Sequence, residues 1–331
     1  ANEGIASLDQ VVSTVTGSVT LTSVEQLYAN DGVETFTDTS GTTAKTGTNG
    51  VRLDLGGTGS GKGYLIAGTD SADTITLADS TVLDYGNTTL TNTVSSATVL
   101  GSILFGRGGN DSITGSAAGD VMFGGNGDDT LNGGGSDAND GDLMFGGAGS
   151  DTFNMTASSL SGTAIVGGND AGTDVVSYAG YGSGITFAVG ATSITATHDR
   201  GINDSLTGIE TVTGANGSAN TFTVNTGGAA STNLYGGTGT DSFTIASGTT
   251  MTGAIDGGIG TDSLTLIDGT NSLTITNIEN VSGGSGADTI ALSSSVPSSY
   301  LTLGGTTDYV SITGMPSALS ALTYEAWINP S

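Results

Sequence analysis

Cysteine is absent from the 331 residues, and only three prolines, one histidine and one tryptophan occur. Without cysteine there is no disulfide scaffold and no thiolate-ligated zinc, and a single histidine cannot build a zinc centre from paired imidazoles. Basic residues are nearly as scarce. Five Lys plus Arg stand against 32 Asp plus Glu, a formal charge of -27. That balance excludes nucleic acid as a partner, because phosphate contacts need clustered cations, and it argues equally against anionic membrane surfaces. No apolar run approaches the ~18 residues of a membrane span, so membrane insertion is not expected. Aromatics make up 5% and apolar residues 35% of the chain, a thin supply for a conventional globular core. The chain opens on Ala1 with no visible signal peptide, and we read it as a mature or excised piece of a longer precursor.

What the chain does have is glycine, at 58 positions, and aspartate, with only six glutamates among its acids. A short carboxylate beside flexible glycine can turn inward towards a shared cation, whereas a disordered acidic tail favours Glu and Lys. Spacing strengthens that reading. From Gly106 the segments GRGGNDSIT, GSAAGDVMF, GGNGDDTLN and GGGSDANDGDLMF follow one another, and then GGAGSDTFN. Their first glycines are Gly106, Gly115, Gly124, Gly133 and Gly146, so three steps are nine residues and the fourth is thirteen, a four-residue loop insertion. The aspartates Asp111, Asp120, Asp129, Asp142 and Asp151 keep register. Two residues after each comes an apolar side chain, namely Ile113, Met122, Leu131, Met144 and Phe153. Glycine permits the positive φ and close backbone approach of a tight turn. The apolar residue in a three-residue strand points inward while its neighbours point out, and stacked copies would form a narrow core.

These units resemble the GGxGxDxUx nonapeptides of the repeats-in-toxin (RTX) family, whose fold is a calcium-stabilised parallel β-roll. The expected class is therefore all-β, a parallel β-roll or β-solenoid with irregular flanking β segments. The resemblance implies several Ca2+ ions, each held between loops two repeats apart: Asp111 with Asp129, Asp120 with Asp142, and Asp129 with Asp151. Gly106, Gly108, Gly115, Gly124, Asn126, Gly133 and Gly146 lie in the loops that complete the oxygen shell. Outlying copies add Asp174 after GGNDAGTDVV, Gly236 with Asp241, Gly257 with Asp262, and Gly283 with Asp288. The intervals between these last glycines are not multiples of nine, so we expect them to alternate with longer strands rather than continue a standard roll.

A second repeat, SVEQLYANDGVETF, GIETVTGANGSANTF and NIENVSGGSGADTI, places Glu25, Glu210 and Glu279 in equivalent positions and Asn220 near the Asp place of the second copy. A turn-stabilising or solvated role is expected for these glutamates rather than ligation. Between motifs, SVTLTSV, GITFAVG and SLTITNI alternate with period two, as strands do. The expected division is a degenerate β-solenoid or β-rich segment over 1–100, a regular roll over 101–160, and an irregular RTX-like segment over 161–303. Residues 304–331, with Trp327, resemble the opening strands of a laminin-G or concanavalin-like domain and are a candidate subunit contact.

Catalytic signals are weak. GGTGSGK at Gly56–Lys62 has Gly63 where a P-loop needs Ser or Thr, and HExxH and GxSxG are missing. His198 is expected at the surface. Lys45, Arg52, Lys62, Arg107 and Arg200 form no evident cluster for a uronate. The chain is thus expected not to be an enzyme but an extracellular, calcium-dependent structural protein of a bacterial surface layer, sheath or filament, folding after type I secretion. It would self-associate into a polymer or lattice, with cell-surface polysaccharide as a further partner. The alternatives are a rigid spacer of a secreted adhesin and the folding module of a polysaccharide-active enzyme.

Overall fold

The computed structural model describes residues 102–115, 119–134, 141–156, 162–168, 170–198, 201–225, 231–284 and 288–292, with isolated strands between 18 and 93 and between 300 and 312. Among the described residues there is no helix, and the chain winds as a parallel β-solenoid of about 8 turns. Two walls face each other, one of 11 strands and one of 14. Val121–Asn126 lies in the larger wall, Thr130–Asn132 in the smaller, Leu143–Ala148 in the larger and Thr152–Thr156 in the smaller. Every pairing along the 11-stranded wall is parallel.

The core follows from period-two alternation meeting a fixed register. Leu104, Met122, Met144 and Ile165 align across one wall, and Ile113, Leu131, Phe153 and Val176 across the other. All eight are fully buried. Further along, the stacked rings of Phe187, Phe222 and Phe243 sit 4.5 and 4.7 Å apart, the spacing of neighbouring strands. A thin solenoid has one layer of side chains between its walls, so a modest apolar fraction suffices.

The uneven intervals beyond the regular block do not end the two walls. Equivalent aspartates are 18 residues apart between Asp111 and Asp129, 22 between Asp129 and Asp151, and 23 between Asp151 and Asp174. The additional residues go into loops and into longer strands such as Thr250–Asp256. One insertion changes the walls themselves. Thr186–Val189 and Ser193–Thr197 form an antiparallel hairpin inside the 14-stranded wall, whereas in the other wall Val175–Gly180 pairs directly with Thr211–Thr213. Two strands on one side only lengthen that wall by about 10 Å, and Tyr178, Tyr181, Phe187 and His198 fill the wedge. His198 is therefore buried, at 4% exposure, and not at the surface, because the hairpin that carries it is part of the wall.

The solenoid reaches back to Tyr64–Ala67 and Thr74–Thr76, which pair in parallel with the first turn of the regular block. Ser18–Leu21 and Thr35–Asp38 belong to a separate three-stranded sheet. Tyr309–Ile312 is the outermost strand of the 11-stranded wall; Glu25 and Trp327 lie outside the described residues. Truncating Phe222 to Ala should open a cavity between two rings and cost about 3–5 kcal/mol. Urea denaturation in millimolar calcium measures it, and a cost near zero would mean that the rings are not packed.

Candidate cation-binding column

Several turns bend at a glycine pair, and in the first the place matched to Gly125 is taken by Arg107, with φ 86°. In successive turns Gly125 and Gly147 share a φ of 118°, and Gly127 and Gly149 share 126°, a region closed to side chains other than at a penalty. The bend directs the following aspartate into the solenoid: Asp111, Asp120, Asp129, Asp151, Asp174, Asp241, Asp262 and Asp288 are all at most 2% exposed, and Asp142 is half-buried. Neighbouring Asp128 points outward.

The buried carboxylates form ladders along the solenoid. In one ladder Oδ1 accepts the backbone N–H of the aspartate one turn earlier: Asp111 N–H to Asp129 at 2.7 Å, Asp129 to Asp151 at 2.9 Å and Asp151 to Asp174 at 2.9 Å. A second ladder joins Ser102 N–H to Asp120 and Asp120 N–H to Asp142. A third joins Asn220 N–H to Asp241 and Asp241 N–H to Asp262. Asn271 N–H donates to Asp288. The three loop pairs read from the sequence are thus stacked directly on one another.

The other oxygen carries the chemistry. Oδ2 of Asp129, Asp151, Asp241, Asp262 and Asp288 is buried and has no hydrogen-bond partner. For Asp129, Asp151, Asp241 and Asp262 it lies against the repeat's first glycine, and at Gly124, Gly236 and Gly257 a backbone carbonyl from a later turn converges on the same place. A Cβ on Gly115 would come within 2.6 Å of Asp120 Oδ2 and 2.7 Å of the Gly133 carbonyl oxygen. Gly106, Gly124 and Gly236 are backed in the same way by Asp111 with Gly124, Asp129 with Gly146, and Asp241 with Gly257; at Gly257 the carbonyl is that of Asn277, and Gly133 and Gly146 back onto Asp142 and Asp151. At Asp129, Asp241 and Asp262 a donorless Oδ2 and a backbone carbonyl oxygen thus converge on one glycine, an arrangement that burial makes costly. A hard cation with oxygen ligands fits that donor set. Among the described residues no three carboxylates or imidazoles converge on one point, so such a cation would draw heavily on carbonyls.

Burial shifts these groups. It is the largest cause pushing Asp151, Asp174 and Asp262 up to about 6 and Asp142 up to about 7, against partial compensation from the N–H each accepts. Asp129 and Asp241 are raised for the same reason. Exposed Asp170 goes the other way, lowered by N–H groups of Gly172 and Gly149.

Of the remaining sequence candidates, Gly108 and Asn126 occupy matched strand positions in adjacent turns, with Asn126 exposed and Gly283 half-buried. Glu210 and Glu279 extend two ladders by accepting the N–H of Asp174 and Asp262 at 2.9 and 2.7 Å, a backbone-bracing role. Three further groups stand at ladder positions: Asp204, which accepts from Thr163 N–H, and Asn220 and Asn271, which accept from Ile185 and Thr249. Their signal was Asp or Asn two residues before an inward apolar residue, as in Asp204–Leu206 and Asn271–Leu273, without the usual glycine pair. Asp204 Oδ2 is not orphaned, since the Tyr178 hydroxyl and His198 Nε2 both donate to it at 2.7 Å. Burial and that carboxylate raise Tyr178 well above its usual range, which keeps it a donor.

No protein-family model and no curated protein matches the chain.

A carboxyl whose value is raised on folding from 3.8 to 6–7 favours the fold fully below 3.8 and ceases to do so as pH rises through 6–7. In calcium-stripped buffer the thermal midpoint followed by circular dichroism should be higher at pH 5 than at pH 8, and saturating calcium should narrow the gap. A midpoint that rises with pH in stripped buffer would contradict the burial of ionisable Asp.

Proposed function

We propose that this chain is an extracellular structural protein of the RTX type, in which calcium completes the fold and the completed solenoid assembles with its own copies. The observation that carries this reading is the row of buried Asp oxygens without donors, repeated turn after turn. In the absence of a counter-charge, stacked carboxylates repel within a chain of net charge -27, and one layer of apolar side chains does little to offset them.

Asp111, Asp120, Asp129, Asp142, Asp151, Asp174, Asp241, Asp262 and Asp288, with carbonyls of the glycine loops, would hold calcium. When bound, calcium would supply the positive charge that both the carboxylate and the facing carbonyl lack. The residues themselves hold the loops in register through the N–H to Oδ1 bonds. At tenfold saturation each site adds about 1.4 kcal/mol to folding, and millimolar extracellular calcium suits oxygen-ligand modules of this kind.

Assembly is supported by an asymmetry between the walls. The outer face of the 14-stranded wall carries half-buried Ile103, Phe105, Val121, Phe123, Leu143 and Phe145, with the three phenyl rings stacked 4.8 and 4.9 Å apart. The other wall shows Ser112, Thr114, Thr130, Asn132, Thr152 and Asn154 at matching positions. An apolar stripe on an otherwise acidic, polar chain suits contact with a second copy of itself. A catalytic role lacks comparable support, since the His198–Asp204 pair is closed to solvent.

Sedimentation velocity in chelator and then in millimolar calcium tests both halves. An expanded species should become compact and then grow into polymers. A compact monomer alone would favour an adhesin spacer, and no response to calcium would refute the proposal. Replacing Phe123 with Glu should preserve calcium-driven compaction while reducing polymer growth at least tenfold; unchanged growth would exclude this stripe as the contact.

A further inference from the structure

The ladders are not uniform, and the exceptions show what the orphaned positions require. At Gly214 a Cβ would meet the Gly236 carbonyl oxygen at 2.6 Å and Asn220 Nδ2 at 2.7 Å. At Gly236 and Gly257, one and two turns on, the same place is taken by Oδ2 of Asp241 and of Asp262. Asn220 therefore puts an amide nitrogen where its neighbours put an unpartnered oxygen. That nitrogen lies 2.9 Å from the Ala215 carbonyl oxygen, 3.2 Å from that of Ser218, 3.0 Å from that of Gly236 and 2.8 Å from Asp241 Oδ1. Asn220 Oδ1 meanwhile accepts the N–H groups of Ile185 and Ala215, each at 3.0 Å. With two N–H donors on one side and four oxygens on the other, the amide has a single satisfactory orientation. Asn220 is 1% exposed.

Asn271 repeats the substitution. Its Nδ2 donates to the Ile267 carbonyl and to Asp288 Oδ1 at 3.1 and 3.0 Å, and it is fully buried. At Asp204 the carboxylate is kept, and Tyr178 and His198 bring the donors. Each of these levels has an internal hydrogen-bond donor of the kind that Oδ2 of Asp129, Asp151, Asp241, Asp262 and Asp288 lacks.

Resting on the calcium reading given above, we infer that Asn220 is a built-in substitute for a cation: its amide takes the position of a liganding carboxylate oxygen and donates directly to the Gly236 carbonyl, so that no ion is needed between them and the calcium column is interrupted at that level. Asn271 does the same nearer the C-terminal end. The solenoid is then a series of cation-dependent stretches separated by levels braced without metal. The stretch holding Asp111 to Asp174 and the stretch holding Asp241 and Asp262 lie on either side of the levels braced at Asp204 and Asn220, so calcium tightens two arms against a centre that already has its donors.

The experiment compares the full chain with its Asn220→Asp and Asp241→Asn variants, measuring bound calcium per chain by equilibrium dialysis with elemental analysis and the thermal midpoint in calcium-stripped buffer at pH 8. Asn220→Asp removes the internal donor, so it should bind one ion more than the parent and melt at a lower temperature without calcium. Asp241→Asn supplies a donor, so it should bind one ion fewer and melt at a higher temperature without calcium. An unchanged ion count in Asn220→Asp, with the parent binding normally, would overturn this inference while leaving the calcium reading intact. A lowered calcium-free midpoint in Asp241→Asn would also overturn it. A parent chain that binds no calcium would overturn the calcium reading first and the inference with it.

Discussion

The structure depends on one interaction, the hydrogen bond from a backbone N–H to the Oδ1 of an aspartate one turn later. It holds successive glycine loops in register, and through them the strands on both walls. It also fixes the carboxylate so that, at Asp129, Asp241 and Asp262, its second oxygen and a backbone carbonyl converge where only glycine leaves room. Replacing either partner by a larger group would displace the turn. The same bond that orders the loops therefore creates an electrostatic debt at every turn, and the chain meets it in two ways: at Asn220, Asn271 and Asp204 with its own donors, and elsewhere, on our reading, with calcium.

That arrangement explains the composition. A solenoid one side chain thick needs few apolar residues, and those that point inward in the regular block, Leu104, Ile113, Met122, Leu131, Met144 and Phe153, are fully buried. Glycine is needed at Gly106, Gly115, Gly124, Gly167, Gly236 and Gly257 because a carboxylate and a carbonyl converge where a Cβ would sit. Aspartate outnumbers glutamate because the short side chain reaches the neighbouring turn from inside the bend; Glu210 and Glu279 reach it from a different loop. The hairpin at 186–197 shows that the architecture tolerates a local change in wall length, provided that the wedge is filled. Four aromatic or imidazole rings and a buried Asp204 do so there.

Much of the fold was legible in the sequence. The fixed distance from aspartate to an apolar residue marked both the inward carboxylates and the core, and period-two stretches such as Ser272–Thr276 became strands. Less was legible where a local pattern has two physical outcomes. The unequal intervals between Gly236, Gly257 and Gly283 did not reveal that the walls run on, because a loop can absorb residues without moving a strand. His198 carried no hint of burial, since its partners Tyr178, Tyr181 and Asp204 meet it only after the hairpin joins the wall. Asn220 looked like a degenerate aspartate; that its amide nitrogen takes the position of Oδ2 depends on oxygens from Ala215, Ser218 and Gly236 that only the folded backbone brings together. The sequence pattern alone also carried the likeness to RTX proteins, and it is the buried, donorless oxygens that lend it physical content.

The central claim is that the carboxylate ladders need a cation to stay closed. Amide hydrogen exchange at Asp111, Asp129 and Asp241, whose N–H groups donate to Asp129, Asp151 and Asp262, tests it most directly. With calcium at neutral pH these amides should be among the slowest to exchange, and in calcium-stripped buffer they should exchange as fast as open loops. Equal, strong protection in both conditions would show that the ladders close without a cation and would contradict the account.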